Sequence, residues 1–277
     1  MPIFEKPPLE TLTIARERWT PIYLEHGRLE VDDSSVKWIG ADRTIIRIPV
    51  ATVSSIMLGP GTTITHAAIK TCSDCNTPIC WIGEQGMRFY SFGVAPNHAN
   101  DNVRKQVKLY SSQKARAAVA RKMFLLRFPE SDVDGKTIKE LRGMEGRRIK
   151  NLYAQMGYKY GVTWKGRNYD ANNWNLSDNI NKAVSAANAC FYALCTSIIC
   201  SMGFLPQLGF IHVAGTLPFV YDIADIYKPV TTLEAAFKTI SIKQNADTKE
   251  VITLLKKILE EKRLLYQIPK DINDLMK

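Results

Sequence analysis

Between Trp19 and Phe92, apolar and polar residues alternate in short runs, GRLEVDD, SVKWI, TIIRIPV, VSSIMLG, PICWIG and MRFYSF, separated by turn-forming residues. A period of two bounded by such residues predicts half-buried strands. One stretch after GPG, THAAIKTCSDC, breaks the alternation and predicts a short helix. Residues 94–102 carry Pro, Asn and Asp with little apolar content and read as a linker. Beyond them the period changes to nearly four. It predicts helices over Val103 to Phe128, Lys136 to Met156, Ser177 to Met202, Tyr221 to Tyr227, Thr232 to Ile242 and Thr248 to Tyr266. The expected class is α+β: a β-rich domain at 1–93, the linker, and a mostly α-helical domain at 103–277.

Composition fits a folded chain of two domains: 277 residues, 45% hydrophobic and 23% charged. The net charge of +10 adds a direction, because residues 1–100 hold 9 Lys/Arg against 10 Asp/Glu, leaving 28 against 17 for the remainder. Arg104 to Arg167 alone holds 17 basic and 5 acidic residues. Charge of one sign at this density favours a polyanionic partner through counterion release. The six cysteines read as free thiols, and Cys72 with Cys75 lacks the second ligand pair of a structural zinc site. The first residues, MPIFEKPPLE, show no secretory signal, so a reducing cytoplasm is expected. Ala183 to Leu205 is apolar and long enough for a membrane span, yet it carries Ser185, Asn188, Thr196, Ser197 and Ser201, so a buried central helix is expected and no membrane.

Against this background three placements stand out. On the helix from Lys136, the apolar positions Ile138, Leu141, Ile149, Leu152 and Met156 form one stripe, and Glu145 falls within it. GFIHVAGTLPFVYDIADIYK (209–228) sets His212, Asp222 and Asp225 among interior-type residues. Burying such groups demands partners. The residues alone leave two readings open for each. Glu145 either serves a site or pairs with Arg142 or Arg148 on a helix edge; Asp222 either faces a site beside Asp225 or caps a helix with Asp225 at its third position; His212 is either a ligand or a core histidine. Together, carboxylates and an imidazole match the donors that Mg²⁺ or Mn²⁺ accept.

IMLGPGTTITHAA (56–68), RKMFLLRF (121–128), LRGMEGRRIK (141–150), YGVTWKGRNYD (160–170), INKAVSAAN (180–188) and the 209–228 stretch run along most of the chain. Together they resemble CRISPR-associated protein 1, the integrase of CRISPR spacer acquisition, in the form found with type I-E systems. The resemblance implies an N-terminal β-sandwich-like domain followed by a helical catalytic domain, and a homodimer. It implies a divalent ion, Mg²⁺ or Mn²⁺, on Glu145, His212 and Asp225, with Asp222 beside them in the catalytic set. It further implies joining of the 3′-hydroxyl ends of a short DNA to a CRISPR repeat, working with a dimer of CRISPR-associated protein 2 that bridges two homodimers. The expected DNA is a duplex with 3′ single-stranded ends, met by Arg88, Arg142, Tyr169, Tyr192 and Tyr221; guanidiniums suit phosphates and tyrosine rings suit unpaired bases.

Two departures concern DNA-end handling. HVAGTLPF, after His212, has no Lys or Arg where the family often has a basic residue, and His26 stands where close members have Tyr. Two other functions remain open on the residues: a structure-specific repair nuclease using the same ion, and a non-catalytic DNA-binding scaffold.

Overall fold

The period-two runs form two four-stranded sheets. In one, Gly27–Asp32 (β2) and Ser35–Gly40 (β3) pair antiparallel with Leu29 opposite Trp38, and Ile45–Ile48 (β4) extends β3 antiparallel. The short Thr62–Ile64 (β6) lies parallel to β2, giving the order β4-β3-β2-β6. In the other, Ile22–Leu24 (β1), Ile56–Leu58 (β5) and Ile79–Ile82 (β7) run parallel and Phe89–Gly93 (β8) pairs antiparallel to β7. Leu29, Val36, Trp38 and Ile48 of the first sheet share a core with Ile56, Leu58 and Ile79 of the second, and the helix His66–Asp74 (α1) adds Ala68 and Cys72. The computed structural model describes residues 21–32, 35–84, 89–93, 100–129, 133–168 and 178–277.

All three residues of β5 are buried, because the sheet has a neighbour on each face. Ile56 and Leu58 face the other sheet, whereas Met57, Cys80 and Ile82 pack with Ala193 of the helix Asn179–Ser201 (α5). Ser55 and Ser197 join hydroxyls at 2.8 Å across the same junction. α5 is the apolar segment of membrane-spanning length, and 78% of its most apolar window is buried inside the protein. It is the central post of the helical part, touching Pro218–Tyr227 (α6), Thr232–Ile242 (α7) and Thr248–Glu261 (α8).

Several boundaries differ from the periodicity: helix begins at Asp101, within the span read as linker, of which 94–99 lie outside the described residues, and α6 begins at Pro218, before Tyr221. The span 103–128 is two helices, Asp101–Ser111 (α2) and Gln113–Arg127 (α3), because Ser112 leaves helical backbone and its hydroxyl accepts from the Ala115 N–H. Ile138–Tyr160 (α4) starts in a capping box of Thr137 with Glu140 and runs past Met156 to Gly161, which takes the left-handed conformation at φ 63°. The last predicted helix stops at Glu261; Arg263 turns left-handed and Leu264–Leu275 (α9) follows. α9 continues through Pro269 because Leu264, Ile268, Ile272 and Leu275 bury one full face, which offsets the missing donor. β1 and β6 have three residues each, too few for alternation to show.

Candidate active site

The stretch GFIH is held by α6. The helix begins at Pro218 with Leu217 as its cap, so Asp222 lies inside it and is not the cap that the spacing allowed. Its buried carboxylate reaches back into the preceding loop: Oδ2 accepts from the N–H groups of Phe210 at 2.5 Å and Ile211 at 3.0 Å, while Oδ1 accepts from the His212 N–H at 2.9 Å. Oδ1 also accepts from His212 Nδ1 at 2.7 Å. Gly209 makes this approach feasible, since a Cβ there would lie 2.4 Å from the His212 carbonyl oxygen and 2.7 Å from Pro218. From the other side Arg116 Nε of α3 donates to the Phe210 carbonyl at 3.0 Å. Asp222 therefore orients His212 and leaves Nε2 directed at the remaining groups, lying 4.0 Å from Asp225 Oδ2.

Glu145 sits on α4 beside the fully buried Leu141, as the apolar stripe requires, and faces the C-terminal end of α3. Glu145, His212, Asp222 and Asp225 line one small cavity walled by Met123, Phe124, Ile211 and Ile226. Three elements distant in the chain thus meet at one point. Two cations join them. Arg127, the last residue of α3, places Nη1 against Glu145 Oε1 and 3.5 Å from Asp225 Oδ2, and Lys228 Nζ lies 2.5 Å from Asp225 Oδ1. Neither cation is apparent from periodicity, although Lys228 stands three residues after Asp225, a spacing at which helical side chains meet.

Burial and charge set the protonation states. Burial raises the Glu145 carboxyl above its ordinary value, and Arg127 offsets only part of that. Burial would also raise Asp225, but Lys228 and Arg127 outweigh it and hold that carboxyl low. Burial works against the Lys228 cation, yet Asp225 beside it raises its pKa. The hydrogen bond to Asp222 raises the His212 imidazole, with burial opposing it. A partner that raises the folded pKa contributes stability in full below the unfolded value of about 6.5, and that contribution is lost as pH rises through the folded value. NMR titration of the metal-free protein should therefore show His212 titrating above the ordinary histidine value and moving back toward it in D222N. An unmoved midpoint would contradict the assigned hydrogen bond.

Tyr192 and Tyr221 pack together beside the cavity. Their rings meet edge to face at 5.1 Å, and Tyr221 lies 6.1 Å from the His212 ring. Lys228 Nζ also donates to the Tyr192 hydroxyl, linking that ring to Asp225. Arg142 lies in a neighbouring groove of about 780 Å³, lined also by Arg116 and Lys139 and bordered by Ile211 and Val213, the neighbours of His212. Arg88 and Tyr169 lie outside the described residues. His26 is exposed, in the turn between β1 and β2, with a left-handed φ of 56°. All six cysteines are free.

A family model described as CRISPR associated protein Cas1 matches residues 22–133 and 124–263. The chain belongs to the Cas1 family. The CRISPR-associated endonuclease Cas1 2 of Chlorobaculum tepidum is 40% identical over 268 residues, covering 96% of this chain and 90% of that protein. The CRISPR-associated endonuclease Cas1 of Escherichia coli is 37% identical over 263 residues, covering 94% of this chain and 86% of that protein. The crystal structure of a TtCas1-DNA complex matches with a TM-score of 0.82 at 34% identity, covering 95% of this chain and 98% of that one.

The donors present suit the divalent ion that the family implies. Two carboxylates supply hard oxygen donors and the imidazole nitrogen a borderline one, and a histidine whose other nitrogen is held by a carboxylate is the usual arrangement behind a metal. As they stand, no three His, Cys, Asp or Glu side chains among the described residues close a metal shell. The Arg127 guanidinium lies between Glu145 and Asp225.

Proposed function

We propose that the protein is a metal-dependent DNA integrase and endonuclease that inserts short foreign DNA into a CRISPR array. The observation that carries this is the convergence of Glu145, His212 and Asp225 on one cavity in a member of the Cas1 family. Glu145, Asp225 and His212 Nε2 would hold Mg²⁺ or Mn²⁺. Bound there, the ion would supply charge stabilisation at a phosphoryl oxygen and acidify an attacking hydroxyl. The chain's own residues do the rest. Asp222 keeps His212 Nε2 facing the cavity, and Asp225 stays ionised beside Lys228. The edges and faces of Tyr192 and Tyr221 offer surfaces for the bases of a single-stranded 3′ end, and Arg142 with its basic neighbours takes the backbone. A 3′-oxygen forms a bond to phosphorus in the repeat as the bond to the leaving 3′-oxygen breaks, so the number of phosphodiester bonds is conserved.

The partners proposed are a duplex with 3′ single-stranded ends, CRISPR repeat DNA, a second copy of this chain, and a dimer of CRISPR-associated protein 2 bridging two homodimers. The cytoplasm is the proposed place of action. The test is a joining assay with a short duplex and a supercoiled repeat-bearing target, with and without Mn²⁺. Joined product that needs the ion is expected. Cleavage without joining would favour a repair nuclease, and no reaction a DNA-binding scaffold.

DNA affinity should fall steeply with salt, because twelve exposed basic side chains, among them Lys105, Lys108, Lys114, Lys139, Arg147 and Lys150, lie between Arg104 and Arg167. Each phosphate neutralised adds about −0.9 to the slope of log affinity against log salt for duplex DNA. A slope near zero would place the DNA surface elsewhere.

A further inference from the structure

We infer that Arg127 is a resident cation of the metal-free site, held by the carboxylates that would bind the divalent ion and displaced when that ion enters. The inference rests on the metal site proposed above. Arg127 is a side chain 7% exposed, pinned at the end of α3, and its Nη1 serves Glu145 and Asp225 together. Lys228 takes the other Asp225 oxygen. Two carboxylates thus face two cations, with Asp222 a third carboxylate behind His212. A divalent ion added beside both cations would leave positive charge buried in excess, which a low-dielectric cavity opposes. Arg127 lies between the carboxylates and is the group in the way.

A second observation separates this from a permanent structural ion pair. The Nε–H of Arg127 is buried and has no hydrogen-bond partner. A guanidinium built to stay would be expected to have its donors satisfied, since a buried donor without a partner is costly. The fork is thus held through Nη1, which donates to Glu145 and faces Asp225, and only in part. The Phe128 ring lies 5.3 Å from Arg127 Cζ and 4.9 Å from Arg148 Cζ, so guanidiniums already gather on it at the edge of the site. Such an arrangement keeps Glu145 and Asp225 together without the ion and makes the ion's affinity depend on an internal competitor. Arg127 is in this sense a positioning residue, acting on the reaction through the ligands.

The test is Mn²⁺ binding by isothermal titration calorimetry to the wild-type protein, R127Q and R127K, with melting temperatures taken in the absence and presence of the ion. R127Q is expected to melt lower than wild type without Mn²⁺, to bind Mn²⁺ at least tenfold more tightly, and to gain more melting temperature from it. R127K, which keeps the charge without the fork, should fall between the two. Equal or weaker Mn²⁺ binding by R127Q would overturn the competition and leave the metal site intact, because a merely structural role would weaken binding. Wild-type binding that is unchanged in E145Q would instead overturn the metal site. Should neither variant fold, the Arg127 Nε–H resonance of the wild type decides: it should shift as Mg²⁺ saturates the site, and a resonance that does not move overturns the inference.

Discussion

Alanine in place of Glu145, His212 or Asp225 is expected to lower metal-dependent strand joining by at least about a thousandfold while the chain remains folded. Each change removes one donor from an ion held by few, and loss of the ion forfeits the several kcal/mol of charge stabilisation it supplies to a phosphoryl transition state. The three side chains lie on α4, in the loop before α6 and on α6, and none of them is fully buried, so truncation opens no large cavity. Initial rates of joined product with purified variants, alongside circular dichroism for the fold, are the check. E145A protein that joined DNA at the wild-type rate would show that the site is wrongly assigned.

The second large effect is on stability. Asp222→Ala should destabilise the protein by about 3–5 kcal/mol, since it strips the acceptor from three backbone N–H groups and from His212 Nδ1 at a fully buried position. The loop from Gly209 would lose the contacts that aim Nε2, so metal affinity and joining should fall with stability. Urea denaturation compared between wild type and D222A measures the loss. A change below about 1 kcal/mol, the size of an ordinary substitution, would mean that the loop is held by other contacts such as the Arg116 bond to Phe210.

The two uses of carboxylate at this site explain what could be read in the chain and what could not. Glu145 was legible because a charge in the stripe of Ile138, Leu141, Ile149 and Leu152 violates a helix pattern that is otherwise regular. Asp222 and Asp225 were legible as unusual but not as different. Spacing put both on one helix, whereas only the folded loop shows that one binds backbone and the other meets Arg127 and Lys228. Arg127 was hidden because a lysine or arginine at a helix end is ordinary chemistry and its buried partners come from other elements. The strand-rich and helical halves followed from a change of period. Helix ends followed less well, because the breaks at Ser112 and Arg263 depend on single residues leaving helical backbone. The run of α9 through Pro269 depends on tertiary burial that overrides local preference.

The most direct measurement is a crystal structure of the protein soaked with MnCl₂, with anomalous scattering used to locate the ion. One peak is predicted in the cavity between Glu145, Asp225 and His212 Nε2, with Asp222 still bound to Nδ1 and the Arg127 guanidinium withdrawn from between the carboxylates. Crystals that take up Mn²⁺ elsewhere, with this cavity free of anomalous signal, would contradict it.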